Sequence, residues 1–329
     1  MRKRILLIAT GGTIAAGETE NGLAPQLQAK ALLRFVPEIQ TLCTVTAIQL
    51  CELDSTDLTP DIWLKIADCI EQNYALVDGF VVTHGTDTLA FTAAALSYLI
   101  QESGKPVVLT GAQNPIDTDG SDAPKNLLDA FLYAASGAGG VSVVFGGRVI
   151  AGTRAKKLYT RNAAAFASVN FPYFAEIADG EIQTALPLQS KTTDNPKFYH
   201  ELNTRVAVFT CIPGVSAKTL LAVAETCDGL ILETYGLGGV PAYLYTAVEA
   251  ITKSGKTVAV GTQVLYEGTD MSVYAVGKKA KTDLDILELR DMTTEAAAAK
   301  LMWILPQTDN PAEIRRLFET PTAFDRRES

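Results

Sequence analysis

The sequence predicts an α/β protein of two domains: a larger N-terminal one with a mostly parallel sheet and flanking helices, and a smaller C-terminal parallel-sheet one. Three observations lead there. Short β-type runs alternate with helical patterns through the first half, the arrangement that covers a parallel sheet with helices on both faces. The alternation lapses over 186–204, where Lys191-Thr192-Thr193-Asp194-Asn195-Pro196 is polar and turn-rich, and then restarts. The length of 329 residues suits two domains better than one. The expected boundaries are 1–185 for the first domain, 186–204 for a linker and 205–329 for the second.

Element by element, Ile5–Thr10 reads as a strand because it is a short apolar run stopped by glycines. A helix is expected over Gln28–Phe35 and a strand over Thr44–Leu50. Thr59 caps a helix that Pro60 starts and that runs to about Gln72, since proline is tolerated at the first helical position. Gly79–Thr83 is a third strand, Thr88–Leu99 a helix, Val107–Thr110 a fourth strand and Asp122–Ala135 a helix with Pro124 near its start. Val141–Phe145 and Arg148–Ala151 form a β-pair turned by Gly146-Gly147. Beyond the linker come a strand at Val206–Cys211, a helix near Ala217–Cys227, a strand at Gly229–Glu233, a helix near Ala242–Lys253 and a strand at Thr257–Gly261. Helices over Thr294–Ile304 and Pro311–Glu319 close the chain. No repeat or low-complexity tract interrupts the pattern.

Composition narrows the class. Hydrophobic residues at 47% and charged ones at 20% are globular values and argue against disorder. A net charge of −9 disfavours a nucleic-acid binder, which needs a basic surface to displace counterions. Cys43, Cys51, Cys69, Cys211 and Cys227 contain no C-x-x-C pair, so metal-site spacing is absent and free thiols in a reducing cytoplasm are expected. Met1-Arg2-Lys3-Arg4 before Ile5–Ala9 imitates a secretory leader, but the apolar run is shorter than the ~7–15 residues such a leader needs.

In open α/β sheets, ligands bind outside the carboxyl ends of the strands. The segments after strands one, three and four read Thr10-Gly11-Gly12-Thr13-Ile14, Thr83-His84-Gly85-Thr86-Asp87-Thr88 and Thr110-Gly111-Ala112-Gln113. Each sets glycine beside groups that can attack or hydrogen-bond. Any one could be an ordinary turn; three at equivalent strand ends point to a site. Gly11-Gly12-Thr13 lacks the Gly-Lys-Ser/Thr of a phosphate loop, Gly236-Leu237-Gly238-Gly239 is not a dinucleotide fingerprint, and no G-x-S-x-G elbow occurs. With only His84 and His200, a multi-histidine zinc site is not expected. His84 reads as a strand-end hydrogen-bonding residue rather than a base, and His200 carries no assigned role. A hydroxyl nucleophile without a histidine base can use a lysine, held by a carboxylate such as Asp87. Lys156 and Lys157 are both candidates.

These segments resemble a known family. Ile8-Ala9-Thr10-Gly11-Gly12-Thr13-Ile14-Ala15 and Thr83-His84-Gly85-Thr86-Asp87-Thr88-Leu89 match the two signatures of the bacterial L-asparaginase family. Asp54-Ser55-Thr56-Asp57, Lys105–Gln113, Glu233–Pro241 and Gly261-Thr262-Gln263 extend the match in order along the chain. The resemblance is to the cytoplasmic, type I branch. It implies hydrolysis of L-asparagine to L-aspartate and ammonia by a threonine nucleophile. Thr13 would attack, and Thr86, Lys157 and Asp87 would form the second triad, family spacing from Gly152 favouring Lys157 over Lys156. Ser55 would hold the substrate α-carboxylate and Asp87 its α-ammonium. Backbone N–H groups near Thr86 would stabilise the oxyanion, and the Ala112 carbonyl would contact the leaving nitrogen. Gly12, Asp54, Thr56 and Gly85 complete the expected substrate-binding set. The resemblance implies no metal and no organic cofactor, and a homodimer or dimer of dimers whose sites are completed by a neighbouring copy, Gln263 and Tyr266 being the expected contributors.

Two departures from the family stand out. Leu23 occupies the place of a loop tyrosine in Gly17–Pro25, a segment expected to act as a lid, so Tyr159 or Tyr266 would have to lend a phenol. Thr56 stands where many relatives have glutamine. The alternatives are a glutaminase-like subunit of the archaeal tRNA-dependent amidotransferase and a catalytically weak asparagine-binding sensor. The first carries an extra N-terminal domain, for which a catalytic strand beginning by Ile5 leaves no room.

Overall fold

A computed structural model of the chain describes residues 2–19, 22–186 and 195–327, without the side chains of 18–25. It comprises two compact units, Met1–His200 and Glu201–Ser329. Of the expected linker 186–204, residues 187–194 lie outside the described residues, as does the Leu23 side chain, while Lys197–Phe198 pairs antiparallel with Ile100–Gln101.

The first unit is organised by an eight-stranded sheet. In chain order its strands are β1 (Lys3–Gly11), β2 (Cys43–Leu53), β3 (Gly79–Thr83), β4 (Pro106–Thr110), β5 (Gly140–Phe145), β6 (Arg148–Ala151), β7 (Ala175–Ala178) and β8 (Glu181–Thr184). Their spatial order is β8-β7-β6-β5-β4-β3-β1-β2. β1 pairs in parallel with both β2 and β3, and β3, β4 and β5 continue in parallel. The rest is antiparallel. The central strands are apolar and buried on both faces, as expected where helices cover both sides. Ile5, Leu7 and Ala9 pack on one side against Leu127, Ala130 and Phe131 of the helix Ala123–Ser136.

Three long helices serve this sheet: α1 (Pro60–Asn73), α2 (Leu89–Leu99) and α3 (Ala123–Ser136). Pro60 starts α1 as expected, although the Thr59 hydroxyl makes no capping bond. The helix expected at Gln28–Phe35 shrinks to Ala29–Leu32. Beyond it the chain tightens into i→i+3 turns, Arg34 N–H donating to the Ala31 carbonyl and Phe35 N–H to the Leu32 carbonyl. In place of the loop expected over Gly17–Pro25, the backbone of Ala16–Thr19 pairs antiparallel with Gly22–Pro25. Sequence reading also missed the edge hairpin β7–β8. Asp179-Gly180 turns it, with φ of 51° and 76°, the left-handed pair that a tight hairpin requires.

The second unit holds a four-stranded parallel sheet in the order β9 (Val206–Thr210), β10 (Gly229–Thr234), β11 (Thr257–Thr262), β12 (Ile286–Glu288). Its helices are α4 (Ala217–Glu225), α5 (Tyr245–Lys253), α6 (Ala275–Asp283), α7 (Thr294–Ile304) and α8 (Pro311–Glu319). α7 and α8 fall where the pattern placed them. α6 and β12 were not anticipated: α6 carries lysines at 278, 279 and 281 and little apolar periodicity. Among the described residues no helix is long and apolar enough to cross a membrane.

Candidate active site

The chain runs from β1 outward to β2, then returns to the other side of β1 as β3. This reversal is a topological switch point, where the connections after two adjacent parallel strands diverge and leave a crevice at their carboxyl ends. The two glycine-threonine turns leave β1 and β3 at that point.

Glycine is required because the turns touch. Gly12 has φ of 76°, and a β-carbon there would lie 2.3 Å from the Gly85 nitrogen. A β-carbon on Gly85 would lie 2.6 Å from Ser55 Oγ. The Gly12 N–H donates to the Leu53 carbonyl at 2.9 Å, and the His84 N–H to the Thr110 carbonyl at 2.9 Å. Four strand-end segments are thus drawn together with their backbones in contact.

Thr13 opens a single helical turn, Thr13–Ala15, and is half-buried beside this junction. Thr86 is buried at 5% exposure and Asp87 is exposed. Lys157 reaches them from a short strand, Ala155–Lys157, paired antiparallel with Phe166–Ser168. Its Nζ donates to Thr86 Oγ1 at 2.7 Å and to Asp87 Oδ1 at 2.6 Å. Neighbouring residues of a strand point to opposite faces, which separates Lys157 from Lys156. The family spacing favours Lys157 of the two candidates, and it is Lys157 that makes these contacts.

Ser55 is buried, and its Oγ accepts the Asp87 N–H at 3.2 Å. The Ser55 carbonyl accepts the Thr88 hydroxyl at 2.7 Å. Asp54 and Thr56 are exposed and bond to each other: Asp54 Oδ1 takes both the N–H and the hydroxyl of Thr56, each at 2.8 Å. Ala112 is fully buried on the turn after β4. Sequence reading assigned no role to three residues behind that turn. Asp122 accepts the Gln113 N–H at 3.0 and 3.1 Å, and Asn126 Nδ2 donates to the Gly111 carbonyl at 3.0 Å. Gln113 itself accepts the Thr86 hydroxyl at 3.2 Å. An amide and a carboxylate at the start of a helix gave no local signal of this, because their partners lie on other segments.

His84 is fully buried. Its Nδ1 lies 2.7 Å from the Gly85 carbonyl and its Nε2 2.8 Å from the Thr92 hydroxyl. A carbonyl can only accept, so Nδ1 carries the proton and Nε2 accepts from Thr92. Burial pushes its pKa down to about 4, against the raising effect of the Gly85 bond. The ring is neutral and fully engaged, a strand-end hydrogen-bonding residue as the sequence suggested. His200 pairs at the surface with Asp68 at 3.1 Å and Glu71 at 3.5 Å. Among the described residues this is the place where three potential metal-ligating groups converge. Both imidazole nitrogens already face these two carboxylates.

A hydroxyl held by a lysine, a second hydroxyl on the touching turn, and glycines that open backbone N–H groups to a ligand can support acyl transfer through an alcohol nucleophile.

Known proteins share this chain's sequence and fold. Residues 4–189 match the family described as Asparaginase, N-terminal, and residues 205–318 match the Glutaminase/Asparaginase C-terminal domain. An L-asparaginase of Thermococcus kodakarensis is 36% identical over 319 residues, covering 96% of this chain and 97% of that one. A solved thermostable L-asparaginase from Thermococcus kodakarensis superposes with a TM-score of 0.93 at 36% identity, over 99% of this chain and 100% of that one. L-asparaginase I from Vibrio cholerae gives a TM-score of 0.89 at 29% identity, over 99% of both chains. A glutamyl-tRNA(Gln) amidotransferase subunit of Pyrococcus abyssi is 34% identical, over 96% of this chain and 75% of that one.

Proposed function

The chain belongs to the asparaginase family through both its domains, and from that membership we propose that it hydrolyses free L-asparagine to L-aspartate and ammonia. The observation that carries the reading is the contact of Lys157 with both Thr86 and Asp87 at the switch point, beside the turn that bears Thr13. Thr13 Oγ attacks the side-chain amide carbon. Its proton passes through the Thr86–Lys157 pair to the leaving nitrogen. The tetrahedral oxyanion is held by backbone N–H groups of the touching turns, where preorganised donors typically contribute most to lowering the barrier. Water then attacks the threonyl ester, Thr86 and Lys157 take its proton, and that proton is returned to Thr13 Oγ1 as the acyl C–O bond breaks and aspartate leaves. Ser55 and Asp87 bind the α-carboxylate and α-ammonium, the Ala112 carbonyl faces the leaving nitrogen, and Gly12, Asp54, Thr56 and Gly85 shape the pocket. Tyr159 or Tyr266 lends a phenol to Thr13 in place of the tyrosine missing at position 23.

The active form is a homodimer or dimer of dimers in the cytoplasm. Five free cysteines, four of them buried, support a reducing compartment. A component of a tRNA-dependent amidotransferase remains the second reading, favoured by the 34% identity to the Pyrococcus abyssi protein; the chain spans 75% of that relative, against 97% of the asparaginase.

The test is ammonia release by the purified chain from L-asparagine, L-glutamine and D-asparagine, with the mass in solution read by light scattering. L-asparagine is expected to give the highest kcat/KM. Its margin over glutamine is modest, since one methylene is worth only ~1–3 kcal/mol in a pocket. Release from none of the three amides would sink the hydrolase reading, and full activity in a monomer would sink the assembly.

A further inference from the structure

We infer that Gln113 is a positioning residue that fixes the direction of the Thr86 hydroxyl proton; the inference rests on the reading that the Thr86–Lys157 pair moves protons. Gln113 Oε1 lies 3.2 Å from Thr86 Oγ1. Its Nε2 lies 3.4 Å from the Tyr159 carbonyl and 3.3 Å from the Asn162 carbonyl. Two backbone carbonyls can only accept, so the NH2 group faces them and the amide oxygen faces Thr86. Lys157 Nζ is the donor to Thr86 Oγ1 at 2.7 Å, which leaves the single hydroxyl proton for Gln113. The bonds therefore run one way: Lys157 to Thr86, Thr86 to Gln113, Gln113 to the 159–162 segment.

This direction has a chemical consequence. The Thr86 lone pair faces Lys157, and its proton rests on an amide oxygen that is too weak a base to take it. For Thr86 to pass a proton to neutral Lys157, the hydroxyl must first rotate off Gln113. The O–H bond then breaks with its electron pair left on oxygen, and an N–H bond forms on the lysine. Gln113 thus keeps Thr86 poised as an acceptor in the resting site and ties that state to the chain carrying Tyr159.

Gln113 is itself rigidly held. Its N–H donates to both oxygens of Asp122, and Asp122 Oδ2 also takes a bond from Asn126 Nδ2 at 3.1 Å. Asn126 is buried, and its Oδ1 accepts the Gly146 N–H at 2.9 Å. A backbone amide held by Asp122, which Asn126 holds in turn, fixes the root of the Gln113 side chain and suits a positioning role, in which small displacements cost rate.

The experiment combines kinetics with a readout that needs no turnover. Gln113→Leu should lower kcat on L-asparagine by roughly 10- to 100-fold with little change in KM. Gln113→Glu is poor when ionised, because its carboxylate faces two carbonyls. Once protonated it offers an acceptor to Thr86 and a donor to the carbonyls, so its activity relative to wild type should rise as the pH falls. In threonine-methyl-labelled protein, the Thr86 resonance, assigned by its loss in Thr86→Val, should move in Gln113→Leu as the side chain loses its fixed rotamer. An unmoved Thr86 methyl overturns the inference, whether or not kcat falls. If wild type releases no ammonia from any amide, the hydrolase reading fails by itself, and the methyl resonance still decides the role of Gln113.

Discussion

Two lysine–aspartate pairs, one in each unit, have the same length and opposite surroundings. Lys157–Asp87 and Lys300–Asp325 both close to 2.6 Å. Lys300 and Asp325 are fully buried, whereas the side chains of Lys157 and Asp87 keep 17% and 57% of their exposure. The Lys300 ammonium also donates to the carbonyls of Phe318 at 2.9 Å and Thr320 at 2.7 Å, so each of its three hydrogens has an acceptor. Burial pulls its pKa down, against the pull of Asp325. Lys157 has two acceptors among the described residues, and one of them is a hydroxyl. Topology explains the contrast. The first sheet reverses direction at β1 and opens a crevice there, while β9 to β12 wind one way in sequence without a reversal. A charge pair by itself therefore marks nothing. Incomplete coordination beside a switch point marks a site, and saturated coordination inside a core ties a C-terminal segment to α7.

The sharpest way to break this comparison is to remove each lysine. Lys157→Met should lower kcat on L-asparagine by roughly ten-thousand-fold, with a stability change of about 1 kcal/mol or less, because the Asp87 carboxylate it leaves behind stays open to solvent. Thr13→Ala should do the same, and the double variant should lose little more, because residues acting as a unit are not additive. Near-wild-type turnover in either single variant would remove that residue from the chemistry. Lys300→Met should instead cost about 3–5 kcal/mol in urea unfolding, since it strands a buried carboxylate, and should leave kcat per folded molecule intact. Lys300→Met with Asp325→Leu should recover most of that loss. A single-variant cost below about 1 kcal/mol would mean that the buried pair is not the tie it resembles.

A smaller effect sharpens the contrast between units. Both histidines lie in the first unit. His84 has a folded pKa of about 4 against an ordinary 6.5, so only the unfolded chain binds a proton between those values. Stability is therefore fully present above about pH 6.5 and falls as the pH drops toward 4, by about 3 kcal/mol in all. Urea titrations of wild type and His84→Gln across this window should show a steeper acid loss in wild type. Hydrogen exchange should place that difference in the first unit. Parallel acid slopes for the two proteins would show that the imidazole is not held neutral.

The sequence by itself determined the alternation of strands and helices, the break between two α/β halves and the family signatures. These are local signals: apolar periodicity, proline at helix starts, and glycine where backbones must touch at Gly12 and Gly85. Tertiary structure alone decided which strands became neighbours, and hence that the first and second glycine-threonine turns share one switch point. The family spacing already favours Lys157 over Lys156, and tertiary structure supplied the physical reason: which lysine faces Thr86 is set by strand parity through pairing with Phe166–Ser168, a segment with no motif of its own. It also decided the place of Gln113, whose four partners lie on segments from residue 86 to residue 162. Hydrogen bonds between such distant segments leave no periodicity in the chain. They form when the sheet has already set its strand order, and so they become visible only in the folded molecule.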